Sequence, residues 1–226
     1  AFSTNQPGIP SPDEMRATLR VGMEACAIVT SLAALMLGAT FVGAEIATGS
    51  LSQWLTFSPN RHKVYASKLL VALFGGLVLG LVACLGYHAV AQLVGLQLGW
   101  PTVGPDAPVL LRSTLLVGLA CVTGAALAAL FSHTAAAPVA LGAYIVFLVI
   151  RSMFGSYADL LVRASLELHV HGFVWGTFSY PADYDEITYE AIWATIPLWE
   201  SVAYVLGIVA TVVALGWWRF VRRDHT

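Results

Sequence analysis

The sequence is poor in charged side chains. Only 11% of its 226 residues are Asp, Glu, Lys or Arg, whereas 58% are hydrophobic, and the mean hydropathy is +0.77. Soluble domains carry about 25% charged residues, so this composition excludes an ordinary soluble domain and indicates a membrane protein. The formal net charge of -2 offers no basic excess, and we therefore expect no nucleic acid among the partners.

Cysteine and lysine are also scarce. The three cysteines, Cys26, Cys84 and Cys121, all lie inside apolar runs, which favours a packing role over a disulfide or a metal site. Neither of the two lysines, Lys63 and Lys68, stands in a phosphate-binding loop of the form G-x-x-x-x-G-K-[ST]. The chain therefore cannot hold a nucleotide in such a loop, and we expect no catalytic residue and no cofactor of its own.

Charged side chains are missing from the middle of the long apolar runs. Glu24 and Glu45 enclose twenty uncharged residues, and twenty residues of helix span about 30 Å, one hydrocarbon core. Other ionisable residues near the ends of runs are Arg112, Arg151, Glu200 and Arg219. Since ionisable residues inside a span mark proton relays and ion paths, this pattern argues against a proton-coupled carrier or an ion pump. We interpret Glu24 and Glu45 as markers of the two membrane faces and Glu200 as an acid at the outer interface.

The apolar runs predict an all-α membrane protein with five visible transmembrane helices. Their approximate bounds are residues 21–44, 69–93, 110–131, 135–152 and 193–218. Small residues recur at every fourth position of the second and third spans, which favours close packing against a helix of the same chain or of a second copy. Ahead of the first span, Ser11, Pro12 and Glu14 predict a helix start with an N-cap serine and a capping box.

A polar and basic loop, residues 45–68, separates the first two spans. Gly49 can end the incoming helix, and Pro59 can stop a short helix that lies between them. Three apolar residues share one face of that short helix: Leu51, Trp54 and Leu55. Three cations follow it: Arg61, Lys63 and Lys68. Such a loop suits a groove on a partner protein, and a helix lying flat among lipid headgroups is an equally good interpretation.

A second non-spanning stretch covers residues 155–192. An apolar stripe predicts a short amphipathic helix at the interface: Tyr157, Leu160, Leu161, Ala164 and Leu168. Four aromatic residues then resemble an interfacial belt: Phe173, Trp175, Phe178 and Tyr180. His169 and His171 suggest a metal, but residues at i and i+2 face different sides of a helix and no third ligand stands at a zinc spacing, so we expect no metal site. We interpret His88, near the outer end of the second span, as a satisfied interfacial histidine.

The distribution of cations predicts the orientation. Six cations lie in short segments on one side: Arg61, Lys63, Lys68, Arg219, Arg222 and Arg223. Five are spread over longer segments on the other: Arg16, Arg20, Arg112, Arg151 and Arg163. The positive-inside rule therefore predicts a multi-pass protein with a cytoplasmic C-terminus. Nine arginines against two lysines, with much Ala, Val, Gly and Leu, favour a GC-rich bacterial genome and hence a bacterial plasma membrane.

The loop resembles the first cytoplasmic loop of ABC type-2 export permeases, the membrane subunits of certain ABC transporters. The residues that carry the resemblance are Glu45, Gly49, Ser50, Leu51, Leu55, Pro59, Arg61 and Lys68. In that family the loop holds a coupling helix that docks on a separate ABC ATPase subunit, which binds ATP and Mg. The resemblance thus implies that the loop, including Trp54, contacts such a subunit.

The family also matches the layout of the spans. It has six spans, an amphipathic hairpin outside between the last two, and a basic C-terminus inside, so residues 155–192 correspond to the hairpin. The resemblance implies that residues 1–226 form a single transmembrane permease domain whose first span precedes Ala1. It also implies a second permease copy, in a homodimer or heterodimer within the lipid bilayer.

Three functions remain open at this point. The first is the permease subunit of an ATP-driven exporter for a hydrophobic or amphipathic substrate, a drug or a lipid, in which case this chain is not itself an enzyme. The second is an integral membrane enzyme acting on lipid or a cell-wall precursor, with a site in residues 169–190. The third is a structural partner in a membrane complex. Uncharged spans favour an amphiphilic cargo, since burying an unpaired charge is costly.

Overall fold

The computed structural model describes residues 10–50, 60–154, 163–184 and 191–222. Its helices are α1 (Pro12–Ala47), α2 (Arg61–Gln97), α3 (Ala107–Phe131), α4 (Ala136–Phe154), α5 (Leu166–Trp175) and α6 (Leu198–Arg222). Strands β1 (Thr177–Tyr184) and β2 (Ala191–Pro197) form an antiparallel pair between α5 and α6. Five helices, all except the ten-residue α5, are long and apolar enough to cross a membrane. The prediction of several apolar spanning helices is confirmed, and the strand pair is the exception to an all-α fold.

The first helix begins where its capping residues predict. The backbone N–H of Ser11 donates to Glu14 Oε2 at 2.7 Å, and the N–H of Glu14 donates to Ser11 Oγ at 3.3 Å. Pro12 occupies the first helical position, where a missing N–H costs nothing. The helix then runs for 36 residues, about 54 Å, so it is longer than one hydrocarbon core.

Helix α3 lies at the centre of the bundle. In its most apolar stretch 61% of the residues are buried, against 28% for α1, 22% for α2 and 11% for α4 and α6. The small-residue stripe predicted on α2 faces it: Ala72, Gly76, Gly80 and Cys84 are all buried. A Cβ atom on Gly76 would lie 2.7 Å from the Cβ of Cys121, so the stripe packs against a helix of the same chain.

Helices α1 and α3 approach each other closely at two glycines. A Cβ atom on Gly38 would lie 2.0 Å from the carbonyl oxygen of Cys121, and one on Gly124 would lie 1.9 Å from that of Leu35. Both contacts are with backbone, which cannot rotate away. The two glycines therefore fix the distance between the two helices.

The last span starts later than the sequence predicts. Residues from Trp193 onward were expected in a helix, but β2 extends to Pro197 and α6 begins at Leu198. Trp193 and Thr195 are exposed, whereas Ile196 is buried, which is the two-residue alternation of a strand with one covered face. Apolarity summed over a window does not distinguish this alternation from a helix, so the boundary was wrong by five residues.

The helix bundle has two ends, the loop end and the hairpin end. The loop end contains the last turn of α1, the first turns of α2 and the C-terminal part of α6. The hairpin end contains α5, β1 and β2, together with the opposite ends of the long helices. The predicted stripe residues Tyr157, Leu160 and Leu161 lie outside the described residues, while Leu168 is buried in α5.

Candidate functional site

The predicted loop of residues 45–68 is partly helical, because Glu45 lies in α1 and the stretch from Arg61 to Lys68 forms the start of α2. Gly49 has a φ of +71°, follows the α1 C-cap Thr48, and donates its N–H to the carbonyl of Ile46 at 3.3 Å. A positive φ suits glycine, which explains why the helix ends here. Asn60 caps α2 by accepting from the N–H of Lys63 at 3.3 Å. Four predicted contact residues lie outside the described part of the chain: Leu51, Trp54, Leu55 and Pro59.

Glu45 and Lys68 join the two helices that flank the loop. Lys68 Nζ lies 2.5 Å from Glu45 Oε1, and the two side chains are only 20% and 22% exposed. The ammonium group also lies 5.2 Å from the centre of the Phe41 ring. The ion pair thus holds the end of α1 against α2, although 22 residues separate Glu45 from Lys68 in the sequence. Lys68 therefore interacts with a carboxylate of its own chain.

The start of α2 is also attached to α6. Arg61 Nη1 donates to the carbonyl of Val221 at 3.1 Å, where a cation suits the negative end of the α6 dipole. Trp217 Nε1 donates to His62 Nδ1 at 3.0 Å, and Tyr65 Oη donates to the carbonyl of Val213 at 3.0 Å. Sequence reasoning identified Arg61 but missed these partners, because they lie about 150 residues away in the chain.

At the hairpin end, α5 is held on α1 by Glu24. This carboxylate was predicted to mark a membrane face, but it is 6% exposed and lies inside the protein. Trp175 Nε1 donates to Glu24 Oε2 at 2.8 Å, and His171 Nδ1 bonds Glu24 Oε1. A buried carboxylate is costly unless it has hydrogen-bond donors, and α5 supplies two of them.

The Glu24 contact alters the titration of His171. Its hydrogen bond to the Glu24 carboxylate raises the pKa of His171 above the ordinary value, and this outweighs burial, which acts in the opposite direction. The imidazole ring also stacks on Phe178 of β1, with the ring centres 5.0 Å apart. The carboxylate therefore favours a charged His171, and its side-chain hydrogen bonds join α5 to α1.

The rest of α5 is attached to α4 and α6. Glu167 pairs with Arg151, and its backbone N–H donates to the Tyr144 hydroxyl oxygen at 3.1 Å. The His169 ring stacks on Tyr204 of α6, with the ring centres 3.9 Å apart, and its Nε2 bonds the carbonyl of Arg163 at 2.8 Å.

The two histidines of α5 point to different helices. His169 faces α6 and His171 faces α1, as their i, i+2 spacing predicts. Within the described ranges, no three His, Cys, Asp or Glu side chains are grouped so that they could hold a metal ion.

The remaining sequence predictions at this end have mixed outcomes. Glu200 lies in the first turn of α6 at the hairpin end, and its place at the outer interface stays a prediction. His88 lies at the same end, but its Nδ1 is buried and has no hydrogen-bond partner among the described residues, so the prediction of a satisfied histidine is wrong for this nitrogen.

Comparison with protein-family models, with curated proteins and with solved structures finds no match to this chain. Its function is therefore argued from the sequence and from the geometry above.

Proposed function

We propose that the chain is the membrane-spanning permease subunit of an ATP-driven exporter, and that residues 45–68 dock on a separate ATPase subunit. The observation that carries this proposal is the attachment of the loop at both ends. Glu45 and Lys68 join α1 to α2, and Arg61 joins α2 to α6. A loop that passes a nucleotide-driven movement to the membrane must be firmly connected to the helices that move.

This arrangement assigns different tasks to the loop residues. Lys68 and Arg61 make contacts inside the chain, so their part is to keep the loop in position as well as to add positive charge. The apolar residues Leu51, Trp54 and Leu55 are then the anchors for the partner, since aromatic and apolar anchors carry much of the energy of such interfaces. Gly49 allows the turn from α1 into this segment.

The cargo is proposed to be a hydrophobic or amphipathic molecule, a drug or a lipid. The uncharged centres of the spans offer a charged solute no partner at midplane, so such a solute would lose hydration without compensation. At the hairpin end, α5 packs on α1 and α6 and buries Phe173 and Val174, so apolar groups also cover the exit side of the proposed pathway.

Docking is tested with Trp54→Ala and Arg61→Glu. Each change is expected to weaken the complex with the ATPase by about 2 kcal/mol, roughly 30-fold in Kd, while the chain still inserts. Lys63→Gln is the matched control, because Lys63 is an exposed cation of the same turn. Unchanged affinity and transport in both variants would favour the alternative in which residues 51–59 lie on the lipid surface.

A membrane enzyme is the second candidate, and one observation favours it. Glu24 and His171 form a hydrogen-bonded carboxylate and imidazole pair, a combination that can serve in general acid and base chemistry, and the His171 side chain is 35% exposed. If this candidate is correct, His171→Gln abolishes turnover of a lipid substrate by the purified chain without any ATPase subunit present.

A further inference from the structure

A cavity of about 380 Å³ lies at the hairpin end, between the start of α1, the outer part of α2 and the segment that precedes α3. The residues that line it are Arg16, Leu19, Arg20, Met23, His88, Gly104, Pro105 and Asp106. Arg16, Leu19, Arg20 and Met23 recur at helical spacing on one face of α1, and Leu19 and Met23 are buried below the two arginines. The cavity therefore has an apolar floor and a basic wall, as the pocket for an amphiphile requires.

The wall carries more positive than negative charge. Two guanidinium groups and one carboxylate line the cavity, and Arg20 pairs with the carboxylate, Asp106. Arg16 meets Asp13 at 3.3 Å outside the cavity, but that carboxylate is 90% exposed, and a solvent-exposed pair competes weakly with a bound anion. The charge of Arg16 is therefore left for a ligand.

The N-terminus of α3 can also attract an anion there. His88 lines the cavity, but its Nδ1 atom is itself buried and has no hydrogen-bond partner in the described structure. Asp106 is the N-cap residue of α3 but makes no side-chain cap bond. The first N–H groups of α3 thus lack that acceptor, and the positive end of the helix lies beside the cavity.

From the lengths of the helices, we infer that the cavity lies near the depth of lipid headgroups. His88 is twenty residues along α2 from Lys68, about 30 Å, and Arg20 is one turn beyond Glu24 on α1. Apolar side chains at the same level face outward: Val21 is 55% exposed and both Val90 and Leu93 are 61% exposed. Acyl chains can lie against these residues while a headgroup enters the basic cavity.

We propose that this cavity binds a phosphate group, with Arg16 as its charged donor beside the N-terminus of α3 and with Arg20 held in place by Asp106. The ligand class is a phosphate group, either the ester of a phospholipid headgroup or free inorganic phosphate. At about 30 Å³ per water molecule, the cavity has room for roughly a dozen waters, enough for a phosphate and the adjoining glycerol. The proposal does not depend on the exporter function.

The test measures binding of three probes to the purified full-length chain in neutral detergent. Native mass spectrometry gives the Kd for phosphatidylglycerol and for a phosphate-free galactolipid with the same acyl chains, and equilibrium dialysis gives the Kd for inorganic phosphate. Arg16→Gln is the primary variant, since its partner Asp13 is exposed and the fold loses little. Arg20→Gln is the second variant, and Lys63→Gln, at the loop end, is the matched control for charge.

We expect phosphatidylglycerol to bind more tightly than the galactolipid, and Arg16→Gln to weaken it about fivefold, the effect of one cation near a lipid surface. Lys63→Gln is expected to bind like the original chain. Binding of inorganic phosphate with the same loss in Arg16→Gln, but without a lipid preference, would support the site with free phosphate as its ligand. Equal binding of both lipids together with unchanged binding of inorganic phosphate in Arg16→Gln, or equal Kd values in all three variants for every probe, would overturn the proposal.

Discussion

Replacing Gly38 with alanine tests the packing of α1 against α3. The added Cβ would lie 2.0 Å from the carbonyl oxygen of Cys121, while ordinary van der Waals contact begins near 3.4 Å. The difference, 3.4 minus 2.0, means that the two backbones must separate by about 1.4 Å, since neither atom belongs to a flexible side chain. Overpacking of this kind costs about 1–3 kcal/mol, and we expect the upper part of that range.

Gly75→Ala is the matched control. Gly75 lies in α2, and a Cβ there would meet nothing within 4 Å, so the same substitution adds no clash. Alanine is favoured over glycine in a helix by up to about 1 kcal/mol, so this variant is expected to be neutral or slightly stabilised. The two substitutions should therefore differ by roughly 3 kcal/mol in the free energy of unfolding.

The measurement is the midpoint of thermal unfolding in detergent. It is monitored as the amount of monodisperse protein that remains after heating to each temperature. For a chain of this size, 3 kcal/mol corresponds to a difference of roughly 6–12 °C between the two variants. Equal midpoints would refute the close approach of α1 and α3.

Three other predictions follow from the contacts at the two ends. Lys68→Gln should lower the free energy of unfolding by about 1–2 kcal/mol in chemical denaturation, because the half-buried Glu45 loses a charged donor. Lys63→Gln should change this free energy by less than about 0.5 kcal/mol, and equal effects of the two substitutions would contradict the ion pair. Because the pKa of His171 is raised, its stabilising contact with Glu24 is complete below the ordinary histidine pKa and is lost as the pH rises through the raised value. Glu24→Gln should return the pKa of His171 toward normal in an NMR titration. An unchanged pKa would refute the contact. Single cysteines at Lys63 and Thr177, with the native cysteines replaced, should be labelled from opposite sides of the membrane, and labelling of both by an impermeant external reagent would refute the topology.

Local features were predictable from the sequence. The start of α1 depends only on Ser11, Pro12 and Glu14, which lie within four residues of one another, so the capping box forms as read. Gly49 ends α1 for an equally local reason, its positive φ. The buried stripe on α2 was predictable as well, because regularly spaced small residues indicate close helix packing. The spacing does not identify the helix that packs against the stripe.

Contacts between distant residues were not predictable. Glu24 and His171 are 147 positions apart, and nothing in either neighbourhood indicates that α5 folds back over α1. An acid at the end of an apolar run looks the same whether it faces water or accepts two buried hydrogen bonds, so the sequence did not indicate that Glu24 is buried. Its partner Trp175 was likewise read as part of an interfacial belt, although its indole N–H bonds that carboxylate.

The strand pair shows a different limit. Phe178 and Tyr180 on β1 face the same side as Ala194 and Ile196 on β2, and together they cover Leu168 of α5. Strand β2 is too short to stand out from the apolar run of α6 that follows it. The alternation of exposed and covered residues becomes clear only when the two strands are paired.

The central claim is that this chain works with a separate ATPase subunit, and copurification from its own native membranes tests it most directly. The affinity-tagged chain, solubilised in mild detergent, is predicted to bring down an ATP-hydrolysing polypeptide in a fixed ratio, with activity that rises on addition of amphiphiles and is lost with Trp54→Ala. Recovery of the folded chain without any ATP-hydrolysing polypeptide would contradict the claim.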